Sequence, residues 1–154
     1  MNSEIIAHQE TVIGNAVLYI ELLKQEATLV LDQYWNVWKA RNKLISDTTY
    51  ANGGKFNPGR FAPVIRKVGS SQKVTISWKD FSPRFKNRIE HYGVLVKPKL
   101  GGYSVSCFPK ALDWELEMIQ ETEKKIIPIR ELLHEYHERR LADIKRLEKL
   151  KRLL

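Results

Sequence analysis

Apolar side chains recur along the first third of the chain with a seven-residue period. Ile6, Ile13, Ile20, Ala27, Tyr34 and Arg41 occupy one offset, and Gln9, Ala16, Leu23, Val30, Val37 and Leu44 the complementary one. Gln9 and Arg41 alone break the apolar character, so the pattern is an a/d heptad seam that predicts one long helix over roughly residues 3–46. Val12, Tyr19, Leu31, Trp35 and Trp38 widen the apolar surface beyond a two-stranded seam, so the second half of the helix should touch more than a partner helix. The turn-rich stretch from Ser46 to Gly54 should end it.

The period then changes to two. Over residues 73–79, Val74, Ile76 and Trp78 fall on one face and Lys73, Thr75, Ser77 and Lys79 on the other, which predicts a half-buried strand with a basic open face. Residues 64–68 read as its partner, joined through Gly69-Ser70-Ser71-Gln72 as a hairpin. A second hairpin is predicted from residues 92–97 and 103–108, around Pro98-Lys99-Leu100-Gly101-Gly102, with a basic loop before it. From Pro109, suited to a first helical position, helical spacing returns through Leu112, Leu116, Ile119, Ile126, Leu133, Leu141, Ile144, Leu147 and Leu154. Pro128 falls inside this helix, where proline costs about 3 kcal/mol, so a kink or break near residues 124–128 is expected. The elements predict an α+β fold in a single domain over residues 1–154. Two long antiparallel helices, in residues 1–46 and 111–154, flank a small antiparallel sheet of three or four strands within residues 47–110.

Charge sharpens this picture. Residues 1–46 carry 4 basic and 5 acidic side chains and residues 111–154 carry 10 of each, whereas residues 47–110 hold 12 basic against 3 acidic, a net of +9 within a total of +8. A basic block between two nearly neutral helices is the footprint of a polyanion site, and nucleic acid is the first candidate. The candidate contacts are Arg60, Arg66, Lys67, Lys73, Thr75, Ser77, Lys79, Arg84, Lys86, Arg88, Lys97 and Lys99, with Asn87 as a further neutral donor. Arg66 and Arg84 are the best base readers, because guanidinium pairs bidentately with guanine. Phe85, between two cations, is the candidate for stacking on an unpaired base, whereas Trp78 shares its face with Val74 and Ile76 and belongs to the core.

Other chemistry is weakly supported. The 154 residues, 43% hydrophobic with four Trp, suffice for a folded core. The single cysteine, Cys107, excludes an intramolecular disulfide and a multi-cysteine zinc module, and reads as a small buried strand residue rather than a nucleophile. Glu131, His134, His137 and Glu138 have spacings that can share a metal on a helix, but the first helix offers no acidic ligand on its seam near a plausible level, so a solvated, salt-bridged face is the better account. No glycine-rich phosphate loop and no catalytic constellation is recognisable, so neither enzyme activity nor a cofactor or metal is expected. A secretory signal and a membrane span are also not expected, which points to the cytoplasm. The last sixteen residues fit pairing with the first helix or with a second chain, as in a homodimer, better than a membrane surface.

Several residues together resemble a known family. Trp35-x-x-Trp38, Gly59-Arg60, Pro63-x-Ile65-Arg66, Gly69-Ser70 and Ile76-x-Trp78, followed by Ala111-x-x-Trp114-Glu115-x-Glu117 and Thr122-Glu123, are similar to the MobI-like conjugative transfer proteins of integrative conjugative elements and related plasmids. The resemblance covers roughly residues 30–130. It implies a non-enzymatic factor that binds double-stranded DNA at the origin of transfer and helps recruit or position the relaxase, or works with other transfer proteins. Two alternatives stay open from the residues themselves: a coiled-coil adaptor for an acidic protein partner, and an RNA-binding or single-strand-binding module.

Overall fold

A computed structural model describes residues 2–82 and 93–154. Among the described residues the chain runs α1 (Asn2–Asn52), β1 (Phe61–Lys67), β2 (Val74–Asp80), β3 (Val94–Leu95), a 3-10 turn (Val105–Cys107) and α2 (Asp113–Leu153). The helices lie antiparallel and pair within one chain. Gln9 Nε2 near the start of α1 donates to the Asp143 carbonyl near the end of α2 at 2.9 Å, and Trp38 Nε1 donates to Glu115 at 3.2 Å.

Helix α1 runs six residues beyond the predicted end, because the polar residues after Ser46 sit on its solvent side. It stops at Gly53 and Gly54, whose φ of 73° and 101° only glycine adopts without strain. The heptad seam is spent on α2 over its first part, where Ala16, Leu23, Ala27 and Tyr34 are buried. A straight helix drifts about 20° per heptad against a strict seven-residue repeat. By the end of the seam Val37 is 47% and Leu44 67% exposed, and Leu31 and Trp38 have taken their place in the core.

Strands β1 and β2 pair antiparallel as expected, with Arg66 opposite Thr75 and Val64 opposite Ser77, and Val68 N donates to Lys73 O at 2.9 Å across the turn. The face predicted to be apolar is buried, Trp78 and Ile76 almost completely. Strand β1 is an edge, which is why Pro63 can stand inside it. Two of its outward carbonyls are capped from α1: Tyr34 Oη donates to Phe61 O at 2.7 Å and Trp35 Nε1 to Pro63 O at 2.8 Å.

The predicted second hairpin is the main correction. Val94 and Leu95 pair with Asp80 and Lys79, but residues 103–108 form no strand. Instead Val105–Cys107 is a 3-10 turn that drives Phe108 edge-on against Phe61 (5.1 Å) and Trp78 (5.5 Å), so Cys107 is buried in a turn rather than in a strand. Where β3 ends, Arg130 Nε from α2 takes the Ile76 carbonyl at 2.9 Å, a position a longer strand would need. The described sheet therefore has three strands, in the order β1-β2-β3.

The beginning of α2 and its proline also depart from expectation. The helix begins at Asp113 rather than at Pro109, with Asp113 and Glu115 in its first turn, favourable to the helix dipole. It then continues through Pro128 without a break. Pro128 is exposed, while Ile126 and Leu133 on either side are fully buried, so core packing holds the helix across the lost hydrogen bond. Replacing Pro128 by Ala should restore that bond and raise unfolding stability by about 2 kcal/mol in urea titrations.

Between the layers sits a buried carboxylate. Glu115 Oε2 accepts from the Arg60 and Phe61 backbone N–H groups (2.9 Å from Phe61) and from Trp38 Nε1. Asn42 holds the adjoining Gly59 through both its N–H (2.7 Å) and its carbonyl (3.2 Å). A Cβ on Gly59 would lie 2.7 Å from both Glu115 and Trp114. Glu115→Ala should cost about 3–5 kcal/mol, because three buried donors lose their acceptor, and Glu115→Gln about 1 kcal/mol. Burial holds the Glu115 carboxyl above its ordinary range, against the opposing pull of its donors. The unfolded chain thus releases this proton at lower pH than the folded chain. The contribution of Glu115 to stability should fall as pH rises from the usual carboxyl value through the raised one, and Glu115→Gln should flatten that segment of the stability profile.

Candidate nucleic-acid interface

The side of the sheet turned away from the helices carries the candidate surface. Alternation puts Val64 and Arg66 of β1 beside Thr75, Ser77 and Lys79 of β2 on this face. Arg66 Nε donates to Ser77 Oγ at 2.9 Å. Ser77 is buried, so its hydroxyl holds the guanidinium rather than meeting a ligand itself. Because β3 is only two residues long, an open groove of about 380 Å³ remains beyond it, lined by Arg66, Thr75, Ser77, Lys97, Tyr103 and Arg130. A smaller recess of about 310 Å³ continues it, sharing Thr75 and Arg130 and adding Lys73 and His134.

Not all of the predicted cations converge there. Lys67 pairs with Val74 and so belongs to the helix side of the sheet, away from its neighbour Arg66. Arg60 is committed to Asp80 in a two-point ion pair (Nε to Oδ1 3.0 Å, Nη2 to Oδ2 2.7 Å), whose largely buried hydrogen bonds raise its pKa further and keep it charged. Lys99 Nζ donates to Ser106 O at 3.0 Å. Lys97 and Lys99 line another opening of about 340 Å³ on the far side of β3, together with Arg60 and Lys110. Lys79 is half-buried on the outer face, and Lys73 Nζ donates to His134 Nδ1 at 2.7 Å. Arg84, Phe85, Lys86, Asn87 and Arg88 lie outside the described residues.

Sequence reasoning missed the most constrained member of the groove. Arg130 lies in the charge-balanced helix, yet it reaches the sheet, where it donates to Ile76 O, pairs with Glu123 at 2.7 and 3.0 Å, and lies 5.0 Å over the Tyr103 ring. Glu123 in turn accepts from Trp78 Nε1 at 2.6 Å. The available signal was the seven-residue spacing of Glu123 and Arg130, two turns along one helical face. His134 and His137, read as a face of a salt-bridged helix, separate: His134 meets Lys73 and His137 is buried.

The groove thus combines cations of two kinds. Arg130 is structural, and its removal would leave Glu123 a buried charge without its partner, so Arg130→Ala should lower stability by about 3 kcal/mol. Lys97→Ala, at an exposed position, should change stability by less than about 0.5 kcal/mol, both read from denaturant midpoints.

A family model described as MobI protein matches residues 23–143 of the chain. No curated protein and no solved structure matches it.

Proposed function

We propose that this chain, which belongs to the MobI family, serves conjugative mobilisation as a non-enzymatic factor that binds double-stranded DNA at the origin of transfer and helps recruit or position the relaxase. Family membership supports the process. The observation that supports DNA as the ligand is the groove beside β2, lined by Arg66 and Lys97 and continued by a recess that holds Lys73, all within the +9 segment of the chain.

Arg66 is held in place by Ser77 yet lines the groove, so it is preorganised to pair with a phosphate or with the O6 and N7 acceptors of guanine. Lys73, Lys79 and Lys97 serve as phosphate contacts that fix position without reading sequence, and Thr75 supplies a neutral donor. Arg60 and Ser77 take a supporting role in this reading, through Asp80 and Arg66 respectively. The helices carry the sheet. The first part of their heptad seam is occupied within the chain, so a homodimer would have to use other exposed apolar positions of α1, among them Leu18, Leu22, Leu29, Val37 and Leu44.

The test is a mobility-shift titration of transfer-origin duplex over increasing salt, with single-stranded DNA and RNA as competitors. Affinity should fall steeply with salt, and Lys73→Glu with Lys79→Glu should weaken binding to all duplexes alike and reduce the logarithmic salt slope by about 2. Arg66→Ala should cost about 1–3 kcal/mol and relax discrimination at one base position. No binding at low salt, or equal competition by RNA, would contradict the duplex assignment.

A further inference from the structure

A second polar recess lies on the helix side of the sheet, where α1, α2 and the β1–β2 turn meet. It measures about 210 Å³ and is lined by Glu21 and Lys24 of α1, Lys67 and Gln72 of the hairpin, and His137 and Arg140 of α2. Three cations face one carboxylate there, and Glu21 is already paired with Lys24 at 3.1 Å. Arg140 Nε is buried and has no hydrogen-bond partner among the described residues. His137, also buried, stands beside it. An unpaired buried guanidinium N–H, an uncompensated lysine and an imidazole around one small polar space lack a common acceptor.

We propose that this recess is an oxyanion site that takes a phosphate group, free or borne on a nucleic-acid backbone, with Arg140 and Lys67 as its charge partners and His137 as a further donor. Phosphate oxygens satisfy the Arg140 N–H, and the anion replaces the missing negative charge between the three elements. Burial holds the His137 pKa below its ordinary range. Lys73 from the hairpin, and Arg140 and His134 from its own helix, push in the same direction, while Glu138 opposes them. Across the recess His137 also faces Lys24 and Glu21 of α1 and Lys67 of the hairpin. A bound anion reverses the balance and favours the imidazolium. This recess opens on the helix side of Val74, whereas Lys73 of the proposed DNA groove lies on its other side, so Lys67 and not Lys73 reports on the recess itself.

The experiment is an NMR titration of the His137 imidazole in the full chain, its signal assigned by its loss in His137→Gln. Inorganic phosphate should raise its apparent pKa by about one unit relative to sodium chloride at matched ionic strength. Lys67→Gln, at an exposed position, should reduce that rise by half or more. A short duplex that produces a rise which Lys67→Gln likewise halves identifies the nucleic-acid backbone as the source, a rise with phosphate alone identifies the free ion, and a duplex-induced rise that Lys67→Gln leaves unchanged but Lys73→Gln abolishes places the duplex in the outer groove and overturns the recess as its site. No rise with either, an equal rise with chloride, or an undiminished rise in Lys67→Gln overturns the assignment.

Discussion

The N–H groups of Arg60 and Phe61, where the chain enters β1, are both taken by Glu115 in the first turn of α2 rather than by a neighbouring strand. The same carboxylate oxygen takes the Trp38 indole from α1, so one buried group fixes where both helices and the first strand meet. Removing a carboxylate from water is costly, and it is tolerated here because its donors come from rigid elements. The close approach leaves Gly59 no room for a side chain. Trp38, Gly59, Arg60, Trp114 and Glu115, which carry much of the resemblance to the MobI family, are therefore gathered at this junction rather than on the basic face.

A second buried carboxylate extends the same logic along α2. Glu123 links the core indole of Trp78 to Arg130, and Arg130 closes the side of β2 that the short β3 leaves open. On the β1 side, Tyr34 and Trp35 cap the Phe61 and Pro63 carbonyls. Helix side chains thus take the Phe61 and Pro63 carbonyls on one side of the sheet and the Ile76 carbonyl on the other, positions where a further strand would otherwise pair. The division of labour among cations follows. Arg60 and Arg130 hold the structure through carboxylates, whereas Arg66, Lys73 and Lys97 line the groove without an acidic partner among the described residues.

Helix α1, the β1–β2 hairpin and the burial of Trp78 were legible in the sequence, because periodicity reports which face of an element is dry. Periodicity was less informative at residues 103–108, where an alternating pattern in fact belongs to a turn that anchors Phe108, and at Pro128, where the local penalty is outweighed by packing on both sides. Alternation also puts Lys67 and Arg66 on opposite faces of the sheet, a separation that charge alone does not show.

The sequence by itself determined the order of the elements, the two faces of the hairpin and the concentration of positive charge between two neutral helices, since each is a property of near neighbours along the chain. Which charges are free and which are spent was decided by the tertiary structure. Arg60 meets Asp80 across twenty positions, Arg130 reaches Ile76 across fifty-four, and Arg60 N meets Glu115 across fifty-five. A charged side chain on a helix carries the same local signature whether it faces water or a sheet, and only the packed neighbour makes the difference.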